Sequence, residues 1–270
     1  MSRLAAVNKG SVPPERISRC RSFNLAPTKP LICVRESPTD GSREVDEMVW
    51  GIEPRFETDK HLNTINARVE GVSKSRMYSH LLDEKRCVVI VDAFYEWDQT
   101  KKDHTPYLIR FRDTVSERPI PSRTPVEQYD VYISEDNEQD SSLLPAGVSP
   151  LYLAAIYDRS RTTGQNKCSI VTMDSSGPVS KIHSRMPLIL SAETAQSWLS
   201  SSRFEDIVGE TLNASKQAAL SLECTEVSIL VNKVSNQSRD VTLPVKEMKK
   251  RSFEKGLGRF FSPSKKSKSD

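Results

Sequence analysis

Apolar and polar positions are patterned most clearly in the middle of the chain. Residues 86–91, Arg-Cys-Val-Val-Ile-Val, form an unbroken β-branched run that stops at Asp92-Ala93, the signature of a strand covered on both faces. Residues 107–111, 151–157 and 168–173 repeat the signal, which predicts three more strands. Helical periodicity is scarcer. Ser191 stands as an N-cap with Thr194 where a capping box places an acid, and Ala195, Trp198 and Leu199 follow on one face. Residues 73–82 and 214–223 are expected to form two further helices.

Composition narrows the class. With 270 residues, 36% of them apolar, the chain can bury one sizeable core, and no apolar run approaches the roughly 20 residues of a membrane span. The opening residues lack the apolar segment of a secretory signal, so the reading is a soluble, intracellular protein with no membrane partner. The five cysteines, Cys20, Cys33, Cys87, Cys168 and Cys224, are widely spaced, with no C-x-x-C pair and no histidine at ligand spacing. They read as reduced thiols, and neither a metal nor a cofactor is expected. A formal charge of +3 hides two segregated stretches. Residues 113–150 hold eight acids against two arginines and read as a disordered acidic insertion joining two sheet strands. Residues 249–270 hold eight Lys/Arg against two acids and read as a disordered basic tail. The organisation expected is one domain over residues 1–248 followed by that tail.

Within the tail, Leu257, Phe260 and Phe261 would share one face of a helical turn. The spacing is similar to the box by which replication proteins plug into the sliding clamp; the other reading is a pair of phenylalanines in a basic segment. Lys265, Lys266 and Lys268 read either as a nuclear import signal or as a solvated charge run.

Three short segments carry the chemistry: Asn66-Ala67-Arg68, Phe94-Tyr95-Glu96-Trp97, and Ile182-His183-Ser184-Arg185-Met186-Pro187. Glu96 lies between two large aromatics, and desolvation there would lift its pKa toward general-acid range; the alternative is an outward residue on an alternating strand. His183 falls in a loop after the turn Asp174-Ser-Ser-Gly177-Pro178, where it is either a displayed functional group or a structural one. Asn66 and Arg68 share a face of an extended segment, so an amide and a phosphate-binding guanidinium can serve one pocket. Trp50 beside Gly51 reads as a base-stacking platform or as a core tryptophan.

In order, Arg21-Ser-Phe-Asn24-Leu-Ala-Pro27-Thr28, Val49-Trp50-Gly51-Ile52-Glu53-Pro54, Ile65-Asn66-Ala67-Arg68-Val69-Glu70, the run from Arg86 to Trp97, Ile182 to Leu190 and Val231-Asn232 resemble the SOS-response-associated peptidase family. The resemblance implies an α/β (α+β) fold, a curled and mainly antiparallel sheet with flanking helices and a groove for single-stranded DNA. It implies covalent capture of abasic sites by a terminal cysteine, whose amine attacks the sugar aldehyde and whose thiol closes a thiazolidine, with self-reversing and peptidase activity. On that pattern Asn66 orients the terminus, Glu96 shuttles protons and His183 assists sugar-ring opening and reversal. Pro27, Trp50, Gly51, Arg68, Arg76 and Arg185 would contact DNA. A nuclear monomer at replication forks is the corresponding expectation. The family begins Met-Cys-Gly-Arg, whereas this chain begins Met1-Ser2-Arg3-Leu4, so the cysteine expected at position 2 is absent. Either the chain has lost its opening segment, which is the preferred reading, or it is a variant that binds without sealing.

Overall fold

The structure is a computed structural model and describes residues 22–56, 64–112, 150–200 and 203–250. The acidic insertion, residue 2 and the tail residues Leu257, Phe260 and Phe261 lie outside the described residues. In chain order the strands are β1 (Pro30–Glu36), β2 (Arg43–Trp50), β3 (Asn66–Arg68), β4 (Arg86–Val91), β5 (Phe94–Trp97), β6 (Pro106–Phe111), β7 (Leu151–Arg159) and β8 (Asn166–Asp174). There follow β9 (Arg185–Pro187), β10 (Ile189–Leu190), helices α1 (Ala192–Leu199) and α2 (Phe204–Ala219), and β11 (Leu222–Glu226).

The apolar run of β4 is explained by its neighbours. It pairs antiparallel with β1 on one side and β7 on the other. β1 continues to β2, β2 runs parallel to β8 over two residues, and β8 returns antiparallel to β7. Five strands therefore close on themselves, so the curled sheet is a small barrel without an open edge at this point. Register sets what lies inside. Cys33 faces Asp46 and Val89, Cys87 faces Arg35 and Ala155, and Cys168 faces Tyr157. Since side chains alternate along a strand, these residues share the inner face, and the three thiols are fully buried there. A polar plug lies beside them: Arg35 pairs with Glu44 at 2.6 Å and Asp46 at 3.2 Å, and Asn166 donates to Asp46 at 2.6 Å. The outer face of β4 packs against α1. Trp198, wholly buried, donates from Nε1 to the carbonyls of Cys87 and Ala155 at 3.1 and 3.3 Å.

The capping box of α1 forms as expected, Ser191 and Thr194 each serving the other's backbone N–H. The other two helix expectations need correction. Residues 73–82 hold two short 3-10 turns, Val72–Lys74 and Ser79–Leu81. Ser75 lies extended between them, its hydroxyl accepting from the Met77 N–H at 3.2 Å, a local bond that competes with helix. The helix expected over 214–223 starts ten residues earlier and ends at Ala219. Its opening N–H, on Phe204, is capped by the Asp83 carboxylate at 2.8 Å, a partner 121 residues away. Residues 222–226 instead pair with β6 as an edge strand.

β5, β6 and β11 make a separate three-stranded sheet around β6. Leu108, Val227, Val231 and Val241 form a small second core beneath it, against Phe23, Tyr95 and Trp97. The strands flanking the acidic insertion, β6 and β7, thus belong to different sheets. No helix among the described residues is long and apolar enough to cross a membrane.

Candidate active site and nucleic-acid interface

Glu96 on β5 and His183, in the loop before β9, come together. His183 Nδ1 lies 4.0 Å from Glu96 Oε2, and both side chains are about four-fifths shielded from solvent, with exposures of 20% and 22%. Burial pushes the Glu96 carboxyl above its ordinary range, against the opposing pull of His183 and of the Trp97 backbone N–H. The loop that presents His183 is tightly built. Gly177 takes a left-handed φ of +58°, a 3-10 turn follows over Gly177–Lys181, and the Ile182 and His183 N–H groups both donate to the Val179 carbonyl, at 2.9 and 3.0 Å. The Ser175 hydroxyl donates to the His183 carbonyl at 2.6 Å, and the Gln99 N–H reaches the Ile182 carbonyl at 3.2 Å. That last bond ties the histidine loop to the hairpin that carries Glu96.

The backbone of Arg185 serves both states of the imidazole. Its N–H donates to His183 Nδ1 at 3.0 Å, and its carbonyl oxygen lies at the same distance. With the first bond made, the neutral ring carries its proton on Nε2; protonated at Nδ1, it can donate to the carbonyl instead. The Arg185 side chain is already engaged. Glu70 takes it in a fork at 2.9 and 3.0 Å, Asp174 accepts at 2.5 Å, and the Thr172 carbonyl at 2.8 Å. In return Arg185 holds the Glu70 carboxyl below its ordinary range. Of the arginines singled out in the sequence, Arg185 is therefore ion-paired by two carboxylates. Arg68 is exposed on β3, with Asn66 two residues away on the same face and buried Ala67 between them. Arg76 is exposed and lies over the Phe56 ring at 4.8 Å.

Trp50 ends β2, and its Nε1 donates to the Ile65 carbonyl at 2.9 Å, so the indole is fixed one residue from Asn66. Gly51 follows at φ +128°, its N–H donating to the Cys168 carbonyl at 2.8 Å. Thr28, next to Pro27, donates its N–H to the Trp50 carbonyl at 2.8 Å and is held at φ +71°, a strained conformation for a β-branched residue. A cavity of about 210 Å³ opens here, lined by Thr28, Trp50, Gly51, Gln165 and Lys167 among others. Thr28, Trp50 and Gly51 thereby share one rim, with Pro27 preceding Thr28 in the chain and Asn66 following Ile65, the residue that holds the indole.

A family model described as SOS response associated peptidase (SRAP) matches residues 5–234. The chain belongs to the SRAP family. It is 30% identical over 223 residues, 78% of its length, to the abasic site processing protein HMCES of Gallus gallus, covering 61% of that relative. Against the HMCES protein of Mus musculus it is 33% identical over 202 residues, covering 67% of this chain and 53% of the relative. The SRAP chain thus spans between half and two thirds of the length of these curated relatives. It also matches the abasic site processing protein YoqW of Bacillus subtilis, at 25% identity over 82% of this chain and 84% of the relative. A crystal structure of a Bacteroides thetaiotaomicron protein superposes with a TM-score of 0.55 at 18% identity, covering 81% of this chain and 82% of that one. The last likeness shows the fold alone.

Several supporting residues were not singled out by sequence reasoning. Glu70 and Asp174, the partners of Arg185, carry no local mark of that role. Tyr95 donates to the Phe23 carbonyl at 2.7 Å, Trp97 to Asn232 Oδ1 at 2.7 Å, and Asn24 to the Val231 carbonyl at 2.8 Å. These bonds lash the ends of the described chain around β5. Asn24 and Asn232 stand in segments that carry the family resemblance, but pairings 135 and 207 residues apart are invisible to local patterns.

Proposed function

We propose that this SRAP chain holds single-stranded DNA at an abasic site and moves protons there with Glu96 and His183. The observation that carries the reading is their 4.0 Å approach. A carboxyl lifted by burial and an imidazole with a backbone partner at Nδ1 in either protonation state form a pair that can pass a proton to and from a bound sugar. Trp50 offers a ring where the lost base leaves a gap, and Arg68 offers an exposed guanidinium for phosphate. Asn66, beside the indole, supplies an amide to orient a terminal amine.

In the covalent form of this reading, the α-amine of the terminal residue adds to the open-chain sugar aldehyde and the adduct loses water to give an imine. A thiol on the same residue then adds to the imine carbon, its proton passing to nitrogen, and the ring closes. The described cysteines cannot substitute, because amine and thiol must sit on one terminal residue; Cys33, Cys87 and Cys168 are moreover fully buried. Where Ser2 is the terminal residue, the reversible imine is the end point, and the chain acts as a binding module. A nuclear setting and clamp capture through Leu257, Phe260 and Phe261 extend the same proposal to a role at replication forks.

The test incubates the chain, with and without cysteine as the terminal residue, with single-stranded DNA carrying one abasic site. A heat-stable adduct on a denaturing gel is expected only with the cysteine. Glu96→Gln and His183→Ala should slow its formation or reversal by about 100-fold. Unchanged rates in both variants would remove these residues from the mechanism. Phe260→Ala with Phe261→Ala should abolish clamp binding and leave DNA affinity intact.

A further inference from the structure

The turn joining β7 to β8 is a second concentration of charge. Arg159 and Arg161 project from it, both exposed, and among the described residues neither has a carboxylate partner. Their hydrogen bonds go to backbone oxygens: Arg159 Nε to the Gly164 carbonyl at 3.0 Å and Arg161 Nη1 to the Arg55 carbonyl at 3.2 Å. These bonds fix the side chains while leaving their charge uncompensated. With Arg55, Lys167, Glu53 and Asp158 they line a cavity of about 170 Å³. The two acids are already occupied, Asp158 by a two-oxygen pair with Arg55 and Glu53 by Lys167 and the Ser160 hydroxyl. Four cations against two carboxylates leave the cavity with an excess of positive charge. It is also contiguous with the Trp50 rim, since Lys167 lines both cavities and Ile52 to Arg55 follow directly on Trp50-Gly51.

We propose that Arg159 and Arg161, beside the Arg55–Asp158 and Lys167–Glu53 pairs, form a second phosphate-binding subsite that takes the backbone of the same single DNA strand as it leaves the Trp50 platform. A fixed guanidinium without a carboxylate partner suits a phosphodiester oxygen, and a subsite of this kind positions the strand without reading its bases. The inference rests on the single-strand reading above and lengthens its track. Exposed arginines of this type release counterions on binding, so their contribution appears in the salt dependence of affinity.

The experiment uses the full chain and fluorescence anisotropy with two labelled single strands carrying a stable abasic analogue, one about 6 and one about 20 nucleotides long, lengths chosen against known single-strand site sizes. Arg159→Gln with Arg161→Gln should weaken binding of the longer strand by about tenfold at low salt, and lower the log–log salt slope by about 1.4, or roughly 0.7 for each phosphate no longer held. Affinity for the short strand should stay within about twofold, and the paired variant Arg159→Lys with Arg161→Lys should restore most of the slope. Wild-type affinity and slope on the long strand in the glutamine variant would overturn the subsite. So would equal losses on both strands, which would place the arginines at the abasic site itself. Failure of wild-type protein, or indifference to Arg68→Gln, on the short strand would instead bring down the underlying single-strand reading, and the subsite with it.

Discussion

Gly177→Ala puts the histidine loop under a calculable load. Gly177 is held at φ +58°, and a methyl group built there would meet the Ala219 carbonyl oxygen at 2.6 Å and its carbon at 2.9 Å, the backbone at the end of α2. Two costs add. The left-handed conformation costs a non-glycine residue about 1–2 kcal/mol, and a backbone clash that only a main-chain shift can relieve costs about 1–3 kcal/mol more. Against a domain of this size the sum of about 2–5 kcal/mol lowers the melting temperature by roughly 5–15 °C. Two other glycines separate the terms. Gly164 shares the left-handed conformation at φ +70°, yet its nearest neighbour is the Arg159 guanidinium at 3.9 Å, an ordinary van der Waals distance, so Gly164→Ala should show the conformational cost alone. Gly209 is mid-helix with nothing within 4 Å, so Gly209→Ala should raise the melting temperature through a gain of about 1 kcal/mol. Because the 3-10 turn after Gly177 leads straight into His183, the first variant should also slow adduct formation at temperatures where it remains folded. Thermal denaturation of the three variants in parallel checks the ordering. A Gly177→Ala melting point within about 2 °C of the parent would refute the packing argument.

Glu96 lowers stability when ionised, because burial holds its folded pKa above the unfolded value. The penalty is absent below the unfolded value and complete above the folded one, so Glu96→Gln should melt higher than the parent at about pH 8 and identically below about pH 4. Arg185→Gln should release the Glu70 carboxyl upward toward its ordinary range, read by NMR titration, since the Arg185 fork is the main cause of its depression. Trp198→Phe should cost about 1–2 kcal/mol in urea denaturation, less than the roughly 3–5 kcal/mol of Trp198→Ala, because it keeps most of the buried ring and gives up the indole bonds to Cys87 and Ala155.

Legibility in the sequence followed the range of the interactions. The central strand β4 could be read from its own composition because both faces are covered, and α1 from its cap, because Ser191 and Thr194 are three residues apart. The side-by-side display of Asn66 and Arg68 followed from strand alternation. The start of α2 escapes a local pattern because its capping group, Asp83, stands 121 residues away. The serine-rich segment at 73–82 offered apolar spacing without the backbone bonds to sustain a helix. At the site, residue types were legible and pairings were not. No local pattern announces that Arg185 will be taken by Glu70, 115 residues away, or that Gln99 will fasten the His183 loop to the Glu96 hairpin.

The three thiols inside the barrel make the protein its own gauge of opening. Cys33, Cys87 and Cys168 have no exposed surface, and the thiols of Cys33 and Cys87 are pushed up chiefly by burial. Strands β1, β4 and β8, which carry them, must part before a modifying reagent can reach sulfur. The rate at which an alkylating agent labels these three positions therefore reports how often the ring of strands comes undone. Any faster thiol chemistry seen in the intact protein arises from sulfur outside the ring.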